Sequence, residues 1–273
     1  MTRLLNIRPR GGPRWLLGAA PLLALVLVYL LASTARHAVN PTDKLLPTLA
    51  AMVDQIRIMA LQVDPQTGAI PLWQDTAASL ARLGAGLAIA TATTLVVGLL
   101  IGVLPLARAG LGPLVAAIAV IPPIAVLPIL FITFGLGETA KIVLIVIGVT
   151  PFMIRDLAGH VGAIPEEQLV KAQTLGASTW QIALRVALPQ ALPRLLESLR
   201  LSLGPAWVFL ISAEAIASDV GLGYRVFLVR RYLAMDIILP YVAWIALLAV
   251  AFDLALATLN RRAFPWAHPR AGR

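Results

Sequence analysis

The sequence predicts an all-α integral membrane protein of about six transmembrane helices, with a helix–turn–helix kept outside the bilayer. Three observations lead there. The 273-residue chain is 59% hydrophobic and only 13% charged, about half the roughly 25% charge of a soluble domain. Its apolar runs reach the roughly 20 residues that a helix needs to cross about 30 Å of hydrocarbon. They do not alternate apolar and polar residues in short strands, as a transmembrane barrel would.

The spans fall at roughly 15–34, 80–104, 113–134, 141–158, 199–217 and 240–258. The run Trp15–Ser33, behind Arg3, Arg8, Arg10 and Arg14, has the look of a signal peptide. It is longer than the 7–15 apolar residues typical of one, so it is read as a retained first helix. With this basic N-terminus inside, six spans return the C-terminus, bearing Arg261, Arg262, Arg270 and Arg273, to the same side. Fourteen of the 22 basic residues then lie inside and eight outside, the bias the positive-inside rule expects. The organisation is an inner tail 1–14, a first helix 15–34, an outer loop 35–79, a five-helix core 80–260 and an inner tail 261–273.

The net charge of +9 would suggest nucleic acid in a soluble protein. Here the basic residues cluster at the ends of apolar runs, where they anchor to headgroups, so lipid is the expected partner. Arg225, Arg230 and Arg231 form a basic group in an outer loop, read either as an interfacial anchor or as a positive vestibule. In the first outer loop, Thr48 begins an amphipathic helix, LAAMVDQIRIMAL, and Asp64-Pro65-Gln66-Thr67-Gly68 makes a turn.

The polar segment 165–193 is the element most suited to binding a partner. Pro165 fits a first helical turn, and Glu166 and Glu167 complement the positive end of the helix dipole. The helix runs to Leu175, and Gly176 supplies a left-handed cap. Ser178 and Gln181 have capping-box spacing, so a second helix starts near Thr179. Pro189 and Pro193 are expected to end it. Leu169, Ala172, Leu175, Trp180 and Ile182 offer apolar anchors. Such a rigid exposed turn suits a groove on a partner; the alternative is a helix pair lying on the membrane surface.

Gly176, nine residues, then Val186-Ala187-Leu188-Pro189 resembles the G-x9-I-x-L-P half of the EAA motif of binding-protein-dependent ABC importer permeases. The leading E-A-A is replaced by Val170-Lys171-Ala172, which keeps only the last alanine. Further motifs, in order, are similar to the nitrate/sulfonate/taurine type of permease. They are Leu46-Pro47; Asp75-Thr76 with Ser79-Leu80; Ile121-Pro122-Pro123 through Pro128; Phe134-Gly135-Leu136-Gly137-Glu138 with Lys141; and Ala213-Glu214 with Gly221-Leu222-Gly223-Tyr224.

The resemblance implies a pair of identical permeases in a bacterial inner membrane. Two cytoplasmic ATP-binding subunits and a periplasmic solute-binding protein would be the partners. It assigns ATPase coupling to Glu167, Lys171, Ala172, Leu175, Gly176, Ala177, Ser178, Trp180, Leu188 and Pro189. The solute would be a small polar one, of the nitrate, sulfonate, taurine or bicarbonate class, with urea- or guanidine-type solutes as the alternative. No cofactor is expected, because ATP is used by the partner; the chain has no G-x-x-x-x-G-K-[ST] phosphate loop.

Candidates for the translocation pathway are Pro122, Pro123 and Pro128, which interrupt the third span, Thr133 on the same span, and Ser212 and Glu214 on the fifth. Glu214 reads equally as an acceptor capping the Gly221-Leu222-Gly223 turn. Asp253 is expected to pair with Arg261 or Arg262, and Trp207 and Phe131 are weighed as gates or as packing. Enzymatic chemistry is disfavoured. The chain has no cysteine, so thiol catalysis and Cys-ligated metals are excluded. Its histidines, His37, His160 and His268, are scattered. A secondary carrier, the remaining rival, would call for more intramembrane charge and recognisable repeats.

Overall fold

The computed structural model describes residues 12–41, 43–65 and 67–267, with side chains from Leu16 onward. Arg3, Arg8, Arg10, Arg270, Arg273, His268 and the side chain of Arg14 lie outside the described residues. Among those residues the regular elements are helical: α1 (Gly12–Val39), α2 (Leu49–Leu61), α3 (Pro71–Val103), α4 (Pro105–Val120), α5 (Pro123–Phe134), α6 (Glu138–Gly162), α7 (Glu166–Thr174), α8 (Thr179–Ile182), α9 (Leu188–Ile216), α10 (Leu222–Arg230) and α11 (Met235–Ala263). A π-helical turn, Ala183–Ala187, joins α8 to α9.

Two compact units are distinguished. One runs through Gln62 and includes Val229–Pro240; the other is Val63–Leu228 with Tyr241 onward. In the first, the buried Ser33 of α1 donates to the carbonyls of Leu46 (3.0 Å) and Pro47 (3.2 Å), and the Tyr29 hydroxyl donates to Pro47 (2.7 Å). The helix begun at Thr48 is present, with the Thr48 hydroxyl accepting from the Ala51 N–H at 3.2 Å. That helix, α2, buries none of its residues.

The second unit is organised around α3 and α6. The buried face of α3 includes Gly86, Ala90, Thr94, Gly98 and Gly102, one small residue per turn. This stripe lets the two backbones approach closely, as small residues do between membrane helices. A Cβ on Gly86 would lie 2.8 Å from Ile145, on Gly98 3.1 Å from Leu157, and on Gly102 2.5 Å from Val161. The register advances in the same direction along both helices, so α3 and α6 are parallel and begin at the same end. The chain between them must therefore recross, and the bent α4–α5 pair carries it.

Among the described residues, counting that pair as one span gives six helical spans; the other five are Leu16–Val39, Pro71–Val103, Glu138–Gly162, Thr179–Ile216 and Met235–Ala263. The third span is not the straight helix 113–134. It starts at Pro105 and bends by 96° between α4 and α5. The cause is Pro122-Pro123: neither can donate a backbone N–H, and Ile121 ahead of them is extended, at φ −71 and ψ 124. Pro128, by contrast, lies within α5 without ending it.

The other helices follow from their partners. Glu214 near the end of α9 meets Ser79 near the start of α3, so α9 is antiparallel to α3 and α6. At its start α11 places Tyr241 against Asp75, and towards its end Asn260 donates to the Pro193 carbonyl at 3.1 Å. The end of α11 thus lies at the same end of the unit as α7 and α8. Asp253 pairs with Arg200 (2.6 and 3.1 Å), not with Arg261 or Arg262. Those two are more than two turns away on its own helix, whereas Arg200 faces it from α9.

Candidate functional site

At one end of the second unit, α7 and α8 form the polar element. Pro165 is the N-cap rather than the first helical residue, and Glu166 and Glu167 occupy the first turn. The helix ends at Thr174, one residue before the expected Leu175. Gly176, at φ +81, donates to the Gln173 carbonyl (2.8 Å), and the Ala177 N–H reaches back to Ala172 (3.0 Å). This pair of bonds is the Schellman arrangement, which a left-handed glycine completes at little cost. The Ser178–Gln181 capping box is complete: the Gln181 N–H donates to Ser178 Oγ (3.3 Å) and the Ser178 N–H to Gln181 Oε1 (2.8 Å). Both ends of the turn are thereby fixed by local bonds.

The turn presents apolar surface to solvent: Leu175 is 80% and Trp180 64% exposed. Glu167, Lys171, Gly176, Ser178 and Pro189 are exposed, and Ala172, Ala177 and Leu188 are half-buried. Of the other proposed anchors, Leu169 is half-buried and Ile182 is buried. A cavity of about 350 Å³ separates α7 from the ends of α3 and α6, bordered by Gly102, Arg108, Leu169, Gln173 and Ile182.

Pro189 and Pro193 do not end the second helix. Thr179–Ile216 is one helical run. The π-helical turn explains how: the Leu188 N–H bonds back to Ala183, five residues away. Pro189 then sits on a widened turn in which its missing N–H and its ring are tolerated. The consequence is a rigid connection from the exposed turn to the far end of the unit.

At that far end lies a cluster of charge, buried apart from the exposed Glu138 and the half-buried Arg225. Asp75, Ser79 and Arg82 share one face of α3, in a stretch that the sequence reading divides between an outer loop and the start of a span. Asp75 accepts from the Gly221 N–H (3.0 Å), Arg225 Nε (2.8 Å) and the Tyr241 hydroxyl (3.2 Å). Ser79 donates to Glu214 (2.7 Å) and accepts the Leu222 N–H (2.8 Å). Glu214, fully buried, also accepts from Arg82 Nη1 (2.7 Å) and the Gly223 N–H (2.9 Å). Arg82 pairs in turn with Glu138, which Lys141 approaches at 3.0 Å. Three carboxylates and three cations, carried on α3, α6, α9 and α10, balance. Gly221 is required here, since a Cβ would fall 2.5 Å from the Glu214 carboxyl carbon.

The structure thus gathers motif residues that are dispersed in sequence. Glu214 is an acceptor for the Gly221–Gly223 turn, with both oxygens engaged. Arg225 is committed to Asp75 and does not form a free vestibule, while Arg230 and Arg231 are exposed. Of the remaining pathway candidates, Thr133 donates within its own helix to Ile129 (2.8 Å) and Ser212 to Val208 (2.7 Å). Pro122 and Pro128 are exposed and Pro123 is half-buried. Trp207 is buried, and Phe131 packs against a core of Leu127, Leu130, Ala140, Leu144 and Ala213. No group of residues able to hold a metal is present among the described residues.

Comparison with known proteins places this geometry. A profile of the family described as "Binding-protein-dependent transport system inner membrane component" matches residues 74–265, which include both the turn and the whole cluster. The taurine transport system permease protein TauC of Escherichia coli is 41% identical over 196 residues, 71% of each chain. The bicarbonate transport system permease protein CmpB of Synechococcus elongatus is 30% identical over 272 residues, 95% of this chain and 96% of that one. The fold is shared with a chain of the MetNI methionine ABC transporter in an inward-facing conformation. That match has a TM-score of 0.56 at 23% identity and covers 67% of this chain and 93% of the other. The chain belongs to the family of inner-membrane permease components of binding-protein-dependent transport systems, in the nitrate/sulfonate/taurine type that its motifs resemble.

Proposed function

We propose that this permease carries a small polar solute of the nitrate, sulfonate, taurine or bicarbonate class into the cytoplasm, by alternating access driven by ATPase subunits docked on the α7–α8 turn. The observation that carries the reading is the turn itself. It is locked by bonds at both ends, exposes Leu175 and Trp180 to solvent, and continues without a break into a span. Movement of the turn would be transmitted along that helix rather than absorbed at a hinge. The working assembly in this reading is two copies of the permease, two ATP-binding subunits and a solute-binding protein, with the turn and the C-terminal end of α11 on the cytoplasmic side. The solute class follows from the taurine and bicarbonate relatives, and the solute-binding protein would select within it.

Co-purification of the tagged permease with a co-expressed cognate ATP-binding subunit tests the docking. The wild-type chain should retain the ATPase, whereas Gly176→Pro and deletion of 174–180 should each release it. Retention by both variants would sink the assignment. Uptake that follows an ion gradient instead of ATP would favour a secondary carrier. A thermal-shift screen of the accompanying binding protein against taurine, other sulfonates, nitrate and bicarbonate identifies the solute.

A further inference from the structure

Near the coupling end a second feature stands apart from the turn. A cavity of about 400 Å³ opens between α4, the end of α3 and the last turns of α6, bordered by Arg108, Arg155 and Gly162. Its floor is the apolar cluster of Ile101, Val115 and Ile154. No acidic residue borders it.

The two arginines differ in how they are held. Arg108 donates through Nη2 to the Gly102 carbonyl (2.8 Å) and through Nε to Ile101 (3.3 Å), capping the end of α3. Its guanidinium lies across Gly162, where a Cβ would come within 2.6 Å of Nη2. Arg155 is exposed, and no hydrogen bond or ion pair engages it among the described residues. It sits seven residues before the end of α6, roughly 10 Å along the helix. From there a long arginine side chain can reach toward the headgroup level. A cation at that depth beside apolar surface needs a counter-charge, and an arginine fork matches a phosphate oxygen pair.

We propose that this cavity binds an anionic phospholipid, its phosphate between Arg155 and Arg108 and its glycerol and upper acyl carbons on the Ile101–Val115–Ile154 floor. The chemistry matches the basic interhelical pockets that hold anionic headgroups. The binding is independent of the importer reading; only the assignment to the cytoplasmic leaflet rests on it.

Native mass spectrometry of the full-length permease, titrated with phosphatidylglycerol or phosphatidylcholine, tests the site. Wild type should retain phosphatidylglycerol preferentially. Arg155→Gln should weaken that retention about fivefold, as expected for one basic residue near a lipid surface, and leave phosphatidylcholine unchanged. Arg155→Lys should fall between wild type and Arg155→Gln, keeping the charge but losing the two-pronged fork. Equal retention by wild type and Arg155→Gln overturns the proposal. Displacement of the lipid by inorganic phosphate or taurine also overturns it, marking a site for soluble anions. ATPase co-purification of the same variants should be unchanged, so loss of the lipid site and failure of the docking assignment are read separately. Arg108→Gln is the secondary variant, because it also uncaps α3.

Discussion

The two ends of the helical run Thr179–Ile216 solve opposite problems. At the Glu214 end, polar groups are buried and each is held by others: carboxylates, guanidinium groups and backbone N–H groups from four helices close on one another. At the Trp180 end, apolar groups are exposed and the bonds that shape the turn are local, within about a dozen residues of chain. About 50 Å of helix separates them. A buried charge unmatched in hydrocarbon is costly, so the first end must stay assembled. An exposed leucine and tryptophan cost little while free and offer area to a partner. The bundle is therefore cross-tied at one end and available for contact at the other. Under the proposed function, the tied end is where the spans pivot and the free end is where they are pushed.

The strongest way to separate the ends is to remove the free one. Deletion of 174–180 should abolish ATPase co-purification while leaving the thermal unfolding midpoint of the permease nearly unchanged, since none of these seven residues is buried. A large fall in the midpoint would mean that the turn is part of the tied framework. The converse change is Arg82→Ala, which strands Glu214 in the interior. Removing one partner of a buried ion pair costs about 3–5 kcal/mol, read as a shift in the denaturation midpoint in detergent. Permease that remains folded should still hold the ATPase. Replacing both partners, Arg82→Met with Glu214→Leu, should recover only part of the loss, because it removes the unmatched charge but leaves Ser79 and the Gly223 N–H without their acceptor.

The two regions also differed in how far the sequence disclosed them. The turn was legible because its determinants are local. Gly176 and the Ser178–Gln181 spacing need no knowledge of the rest of the chain, and the structure reproduces both. The cluster was not. Asp75 and Arg82 look like solvated residues in a window of sequence, so the stretch before residue 80 was assigned to an outer loop. Their partners lie 146 and 132 residues away, at Gly221 and Glu214. What the sequence did carry was the set of motifs around Asp75, Glu138, Glu214 and Gly221, without the information that they meet. The same limit explains Pro189, whose effect depended on a π-helical turn, and Asp253, whose partner was across a helix interface and not along its own.

Serine allows the comparison at its finest, because the same side chain serves both ends. Ser79 donates a hydrogen bond to Glu214 and accepts one from the Leu222 N–H, and it is fully buried. Ser79→Ala should cost about 1–3 kcal/mol for the buried donor left without an acceptor, with ATPase binding kept. Ser178 is exposed and caps α8 through the Gln181 N–H. Ser178→Ala should cost about 1 kcal/mol of local helix stability, little of it visible in global unfolding because the end can fray into water. Its effect should appear instead as a few-fold weaker ATPase association, since a frayed turn must be reordered on docking. Ser178→Asp, which keeps a capping oxygen, separates cap from contact: binding restored by aspartate means the turn acts through its rigidity. Binding that stays weak means the ATPase groove has no room for the added charge, and the hydroxyl is part of the interface itself.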